Sequence, residues 1–184
     1  GDGNGDEGEE ATPGTFTVTE AHIADDVANK DAATVTLDIP TNQEGTAVQF
    51  SKEIIGEIAT KKKGVTFTYG DASFSMKPTV FRQLSAAVRD DVTVSLKEQV
   101  AAIESAVSAT YILQLEKGIG EAAQQFNKFT TDMDITLPVD DSKVANDQEI
   151  IAYEKNTDKT YAATYQDDYI TFNVKATGEF TAIQ

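Results

Sequence analysis

The residues best suited to chemistry lie at the start of the chain, where oxygen-bearing side chains alternate with glycine. Asp2, Asn4 and Asp6 have the spacing of the first three ligands of an EF-hand-type loop. Such a loop suits Ca²⁺, which takes many oxygen ligands from a tightly turned backbone. The segment lacks the glycine at position six and the acid at position twelve that complete this loop. Asp2, Asn4 and Asp6 are therefore candidate calcium ligands, and the alternative is that residues 1–14 form an acidic, glycine-rich linker.

Pairs of consecutive aspartates are the second candidate for cation chemistry. They are Asp25-Asp26, Asp90-Asp91, Asp140-Asp141 and Asp167-Asp168. All four pairs fall at the ends of predicted elements, where aspartate bonds nearby backbone N–H groups, so we expect turn and capping roles. The alternative is that some pairs converge at one end of the fold and chelate Ca²⁺. In either case the net charge of -16 predicts stabilisation by divalent cations, which relieve repulsion among the carboxylates.

Residues that commonly act in catalysis are scarce in this sequence. His22 is the one histidine and has no histidine partner, so we expect it to lie at the surface without a catalytic role. The absence of cysteine excludes thiol catalysis, disulfides and cysteine-type zinc sites. The sequence contains no phosphate-binding loop, dinucleotide fingerprint, nucleophile elbow or zinc-protease motif. We therefore predict that the chain is not an enzyme.

The aromatic residues bear on carbohydrate chemistry. Sugar-cleaving clefts and sugar-binding modules rely heavily on tryptophan, and the chain contains none. Tyr153, Tyr161, Tyr165 and Tyr169 could together form a binding platform. At strand spacing, however, aromatic side chains more often pack in the core or across strands, and we expect that role for them.

The balance of charge limits the partners. There are 31 acidic and 15 basic residues, so nucleic acid and anionic lipid are repelled. The compact basic run Lys61-Lys62-Lys63 is expected to be the solvated last turn of a helix. No apolar run reaches the length that spans a membrane, so we predict no membrane insertion. The chain begins at Gly1 without methionine, and we expect a processed form or a fragment of a longer protein.

Short alternating segments separated by turn residues indicate how the candidate residues are positioned. In the last third these segments are Asp134–Pro138, Ile150–Glu154, Tyr161–Tyr165, Tyr169–Val174 and Thr177–Ile183. Earlier ones are Thr15–Thr19, Ala33–Ile39, Ala47–Phe50, the hairpin Val65–Met76, Asp91–Leu96 and Thr110–Leu115. Regularly spaced short strands of this kind are typical of an antiparallel sandwich.

Helical spacing appears in several places between these strands. Ala21–Asn29 is a short helix or a loop, and Ser51–Lys63 is a helix with Gly64 after its last residue. A third helix opens at Pro78, and the alanine-rich Val100–Ser108 is also predicted to be helical.

The predicted fold is α+β and β-dominated, an antiparallel β-sandwich-like body with two or three short helices. Residues 15–184 would form this β-rich module after the linker. Lobes at residues 15–90 and 91–184 are conceivable within it, but no linker separates them.

Seven segments, taken in chain order, carry a resemblance to a known family. They are Thr36–Pro40, Ser51–Lys63, Val65–Met76, Lys77–Leu84, Val92–Leu96, Ile135–Pro138 and Gly178–Phe180. From Thr34 onward this order resembles a β-rich module of large secreted Gram-positive (Firmicutes) surface proteins. These proteins are of the kind that carry S-layer-homology anchoring repeats.

The resemblance implies an extracellular location at the cell surface or cell wall and a non-enzymatic role. We expect a structural spacer or lattice-assembly module, with calcium as its candidate stabilising ion. Its partners would be neighbouring domains or copies of the same surface protein. One alternative is a ligand-binding adhesin domain that recognises a host or cell-wall component through exposed loops. Another is a non-catalytic domain that flanks an enzyme such as a wall hydrolase.

Overall fold

Alternating apolar residues form two β-sheets, and segments with helical spacing form three short helices. This confirms the β-dominated α+β class and the sandwich-like body. The computed structural model describes residues 12–87, 90–118, 124–145 and 148–184. Its helices are α1 (Glu20–Ala28), α2 (Lys52–Thr60) and α3 (Pro78–Ala87). None of the helices in these ranges is long and apolar enough to cross a membrane.

Fourteen strands build the two sheets within the described residues. In chain order they are β1 (Gly14–Thr17), β2 (Thr34–Ile39), β3 (Thr46–Phe50), β4 (Gly64–Tyr69), β5 (Ala72–Met76), β6 (Val92–Gln99), β7 (Ala106–Lys117), β8 (Gln124–Gln125), β9 (Lys128–Pro138), β10 (Ile151–Glu154), β11 (Lys159–Tyr161), β12 (Thr164–Gln166), β13 (Tyr169–Ala176) and β14 (Gly178–Ile183). The first sheet has the order β1-β3-β6-β7-β14-β10-β11, with β8 beside β7. The second sheet has the order β12-β13-β9-β5-β4-β2, so both sheets draw strands from residues 15–90 and from 91–184.

The expected antiparallel pairing holds except at two places. β1 pairs with β3, and β2 pairs with β4, in parallel. The cause is a repeated unit, because β1-α1-β2 and β3-α2-β4 each leave the first sheet, pass through a helix and enter the second sheet in the same direction. Two such units side by side place their corresponding strands parallel.

The two ends of the sandwich differ in the connections they carry. The strand directions bring α1, α2 and α3 to one end, which we call the helical end. There the ring of Phe50 meets Phe67 and Phe81 with centroids 6.0 and 5.9 Å apart, which seals the core under α2 and α3. The opposite end, the loop end, is formed by residues 40–45, 70–71, 100–105, 139–145 with 148–150, and 167–168.

The predicted helix over Val100–Ser108 is wrong. Residues 100–103 are irregular, a turn follows, and β7 starts at Ala106, where it pairs with Ile183 of β14. β7 lies between β6 and β14, so two ladders of inter-strand hydrogen bonds override the helical propensity of the alanines.

The segment Tyr161–Tyr165, predicted to be one strand, is two strands in different sheets. β11 pairs with β10 in the first sheet, whereas β12 pairs with β13 in the second, so residues 162–163 carry the chain between sheets. Tyr161 stacks on Phe172 of β13, with centroids 6.4 Å apart, and so fastens the crossing to the core.

Strand β9 begins earlier than the predicted Asp134. Its pairing with β13 shifts register between Met133 and Lys128, and this bulge hides the alternation of its first half. Residues 122–123 of the weakly patterned segment before it lie outside the described residues.

Helix α2 does not end at Gly64 as predicted. Lys62 has the left-handed φ of 57°, and the N–H groups of Lys62 and Lys63 bond to the carbonyls of Ala59 (3.0 Å) and Ile58 (3.1 Å). This is the Schellman arrangement, with lysine in the place where glycine is usual. Gly64 opens β4 and is needed for another reason, since a Cβ there would overlap the carbonyl oxygen of Met76.

The basic run after α2 is not fully solvated, because Lys63 is buried. Its Nζ donates hydrogen bonds to the carbonyl oxygens of Asn29 (2.6 Å) and Ala32. The predicted solvated role is therefore wrong for Lys63, which ties the end of α1 to the end of α2. Lys61 and Lys62 are exposed as expected.

Candidate functional site

The candidate calcium ligands Asp2, Asn4 and Asp6 lie outside the described residues, and so does most of the predicted linker. Their calcium role stays a prediction. Of residues 12–14, Gly14 already belongs to β1, so regular structure starts one residue before the predicted boundary.

Two of the four aspartate pairs, Asp140-Asp141 and Asp167-Asp168, have the turn and capping roles expected of them, whereas Asp26 bonds to a strand. The carboxylate of Asp26 accepts a hydrogen bond from the backbone N–H of Thr36 (2.9 Å) on the outer edge of β2. Asp140 accepts from the hydroxyl (2.6 Å) and N–H (3.1 Å) of Ser142, which lowers the pKa of Asp140. Asp167 and Asp168 both have positive φ in the two-residue turn between β12 and β13. Asp140-Asp141 and Asp167-Asp168 both lie at the loop end, but no group of three or more potential ligands that could hold a metal occurs in the described part of the chain.

The side chain of His22 caps the start of α1. Its Nδ1 accepts a hydrogen bond from the backbone N–H of Thr19 at 2.9 Å, which closes a capping box with Thr19 as the N-cap residue. The imidazole also packs against Phe16, with ring centroids 4.8 Å apart. The exposed histidine therefore provides the hydrogen-bond acceptor for a backbone N–H at the start of the helix. Glutamate or glutamine has this role in the usual form of the box.

Replacement of His22 by alanine should lower the free energy of unfolding by about 1 kcal/mol, because an N–H at the start of α1 loses its partner. His22→Glu should retain most of the stability, because glutamate is a usual residue at this position of the box. Urea denaturation of the three proteins at neutral pH measures the difference. Equal losses in both variants would contradict the capping role.

The tyrosines do not form a single platform. Tyr153 and Tyr161 belong to the first sheet and Tyr165 and Tyr169 to the second. The hydroxyl of Tyr153 donates to Asp158 (2.7 Å) and that of Tyr165 to Asp168 (3.2 Å), so both stabilise hairpins. These contacts agree with the expected packing and cross-strand roles.

An open groove of about 1010 Å³ lies at the loop end. One wall is formed by the connection 100–105, and the facing wall by the end of β9 and the turn at Gly70–Asp71. A second groove of about 550 Å³ adjoins it beside residues 41–44, and the two share Glu98 and Val100. We call the two together the loop-end groove.

Hydrogen bonds between the two sheets and within the first sheet fix the walls of this groove. The N–H of Asp140, after β9 of the second sheet, bonds to the carbonyl of Val107 in β7 of the first (2.8 Å). The N–H of Gln184 bonds to the carbonyl of Ser105 (3.1 Å), and the buried Ser108 hydroxyl accepts from the N–H of Ala182 (2.8 Å). The groove is therefore preformed on ordered backbone.

Acidic side chains outnumber basic ones in the lining of the larger groove. Asp71, Glu98, Glu104 and Asp140 line it together with the single base Lys143. Burial raises the pKa of the Tyr111 phenol beneath them, and the negative charge of the neighbouring Glu98 carboxylate raises it further.

Apolar residues complete the groove. Val107 and Val139 are buried in its floor, and Val100 at its rim is 92% exposed. Ala101, Ile103 and Ala109 of the lining are half-buried, so the groove offers a ligand apolar as well as acidic surface.

Sequence reasoning missed this groove, because it placed Val100, Ile103 and Val107 on one face of a helix. The signal that could have indicated the groove was Val100, beside Glu98. If this segment is interpreted as a loop, Val100 has no place in the hydrophobic core and is left exposed. The remaining lining residues come from connections far apart in sequence, and only the sheet order brings them together.

No protein-family model, curated protein or solved structure matches this chain. The likeness to Gram-positive surface modules therefore rests on the order of sequence elements alone. Function has to be argued from the geometry of the groove and the scaffold around it.

Proposed function

We propose that this chain is a non-enzymatic assembly module of an extracellular bacterial cell-surface protein of the S-layer type, which holds a partner in its loop-end groove. The observation that carries the proposal is the preformed groove itself, with acidic walls and an apolar floor fixed between the two sheets. The helical end offers a contrast, because there the helices cover the core. One end that is covered by helices and one end that carries an open groove suit a module that joins a neighbour.

The start of β1 and the end of β14 both lie at the loop end, beside the groove. β1 begins at the loop end, where the N–H of Gly14 bonds to the carbonyl of Gly45 (2.8 Å). β14 also ends there, and the amide of Gln184 donates to the carbonyl of Ala145 (2.8 Å).

The alternative is an adhesin-type domain that uses the same groove to recognise a host or cell-wall component. The two readings share the site and differ in the ligand. A protein segment from a neighbouring module would indicate assembly, whereas a wall polymer or a host molecule would indicate adhesion.

Peptide and glycan arrays probed with the intact chain test the proposal. Ala101→Trp fills the groove, and Ala102→Trp adds the same bulk to an exposed neighbour that does not line it. We expect retained binding with the Ala102 variant and loss of binding with the Ala101 variant. Binding that both variants retain would place recognition elsewhere and refute the proposal.

Calcium stabilisation is tested by thermal unfolding. We expect CaCl₂ to raise the melting temperature of the whole chain more than that of a variant without residues 1–11, because Asp2, Asn4 and Asp6 are the candidate ligands. NaCl at equal ionic strength is the control for screening of the net charge. Identical shifts in the two proteins would remove the calcium role of this segment.

A further inference from the structure

We propose that the loop-end groove binds an extended peptide segment that carries lysine or arginine together with apolar residues. The segment would belong to a protein partner. This inference rests on the proposed docking function and adds the chemistry of the ligand to it.

The charges around the groove select a cationic ligand. Acidic side chains at the loop end are Glu44, Asp71, Glu98, Glu104, Asp140, Asp141, Glu149, Asp167 and Asp168. The basic ones among the described residues there are Lys97 and Lys143. With a net charge of -16 on the whole chain, the field at this end attracts cations and repels polyanions over the approach path.

The apolar part of the lining excludes a purely ionic ligand. Ala101, Ile103 and Ala109 line the groove and are half-buried, and Val100 stands exposed at the rim. A small inorganic cation would satisfy the carboxylates but would leave these apolar surfaces in water. A peptide with alternating basic and apolar side chains satisfies both, because successive side chains of an extended chain point to opposite sides.

The open shape of the groove suits a segment better than a small molecule. The larger groove has about 1010 Å³ and adjoins the 550 Å³ groove beside residues 41–44, and both are open to solvent. Pockets for small ligands usually enclose most of the ligand. An open groove instead receives a chain that enters at one side and leaves at the other.

Fluorescence anisotropy with labelled ten-residue peptides tests the proposal on the intact chain. The probes are a lysine/valine alternating peptide, its lysine/glycine counterpart and its glutamate/valine counterpart. We expect the first to bind tightest, the second more weakly and the third not at all. Equal binding of the first two peptides would show that the apolar residues of the groove do not contribute to binding. Tighter binding of the third would show that the groove prefers an anionic ligand. Either result overturns the proposal.

A variant in which three carboxylates of the groove are neutralised tests whether the groove itself is the binding site. It combines Asp71→Asn, Glu98→Gln and Glu104→Gln, which preserve side-chain size. We expect it to bind the lysine/valine peptide about tenfold more weakly at physiological salt, since three ionic contacts are lost.

A control variant carries the same change in net charge at the helical end. It combines Asp31→Asn, Glu53→Gln and Asp90→Asn, all exposed in the wild type. We expect less than about a twofold loss, because charges beyond about 8 Å are screened at this ionic strength. Equal losses in the two variants would mean that only the overall charge matters, which overturns the groove as the site.

Two further outcomes separate this proposal from the docking function. If arrays find a neutral or anionic ligand that the Ala101→Trp variant loses, the groove is a docking site and the cationic peptide is wrong. If sedimentation shows self-association that the groove variant abolishes, the occupant is a second copy of this chain. If nothing binds in the groove, both proposals fail.

Discussion

Gly64→Ala is expected to destabilise the fold by about 3 kcal/mol or to prevent folding, the upper range for inserted bulk in a packed core. Gly64 opens β4 opposite Thr34, and an added methyl group would overlap the carbonyl oxygen and neighbouring backbone of Met76 and Lys77. Backbone on both sides cannot move without breaking the pairing of β4 with β5. A flexible side chain could retreat from such a contact, but a strand cannot.

Gly56→Ala is the matched control for this substitution. Gly56 lies inside α2, and a methyl group there would meet nothing within 4 Å. We expect stabilisation by about 1 kcal/mol, because alanine is the better helix former. Chemical denaturation of both variants gives the comparison. Equal stability of the two would contradict the close approach at Gly64.

Glu154→Gln is expected to cost about 3 kcal/mol at neutral pH, because a buried carboxylate loses several charge-assisted hydrogen bonds. Glu154 is 3% exposed and accepts from the N–H groups of Asn156 (2.9 Å), Thr157 (2.8 Å) and Glu179 (2.9 Å). The Thr157 hydroxyl adds a fourth bond at 2.7 Å. Glutamine offers one acceptor oxygen and turns its NH₂ group toward donors.

The effect of Glu154 should depend on pH with a defined sign. Burial raises the pKa of Glu154, but the hydrogen bonds from Glu179, Asn156 and Thr157 more than offset it, so the pKa lies below the ordinary 4.5. A lowered pKa in the folded state means that the stabilisation is complete above the unfolded pKa and is lost as pH falls through the folded pKa.

The free energy of unfolding of wild type and of Glu154→Gln is measured between pH 7 and pH 3. The two values should approach each other as the pH falls. We expect the difference in unfolding free energy to be constant down to about pH 5 and to shrink below it. A difference that stays constant to pH 3 would contradict an ionised Glu154 in the fold. Glu53→Gln is a suitable control, since Glu53 is exposed on α2.

Local signals predicted most of the elements. The hairpin around Gly70, the helix that opens at Pro78 and the strand with Tyr111, Leu113 and Leu115 inward all depend on neighbours in sequence, and the structure confirms them. Turn residues and period-two alternation act over a few positions, which is the range in which a single sequence is informative.

Features set by distant residues could not be predicted in this way. The burial of Lys63 depends on the carbonyl groups of Asn29 and Ala32, which come within reach of its ammonium group only when α1 ends beside α2. The division of Tyr161–Tyr165 between sheets depends on separate pairings with β10 and β13. The loop-end groove combines connections that are up to about a hundred residues apart, so neither its walls nor its charge is visible in any one segment.

Hydrogen exchange of the intact chain with and without the lysine/valine peptide tests the central claim most directly. The account predicts slower exchange in residues 98–109 and 138–145, which border the loop-end groove, and no change in α2 or α3. Protection confined to the sheet edges β11 and β12 or to the helical end would contradict it. Protection of the groove in the wild type that Ala101→Trp abolishes and Ala102→Trp preserves would establish the loop end as the docking site.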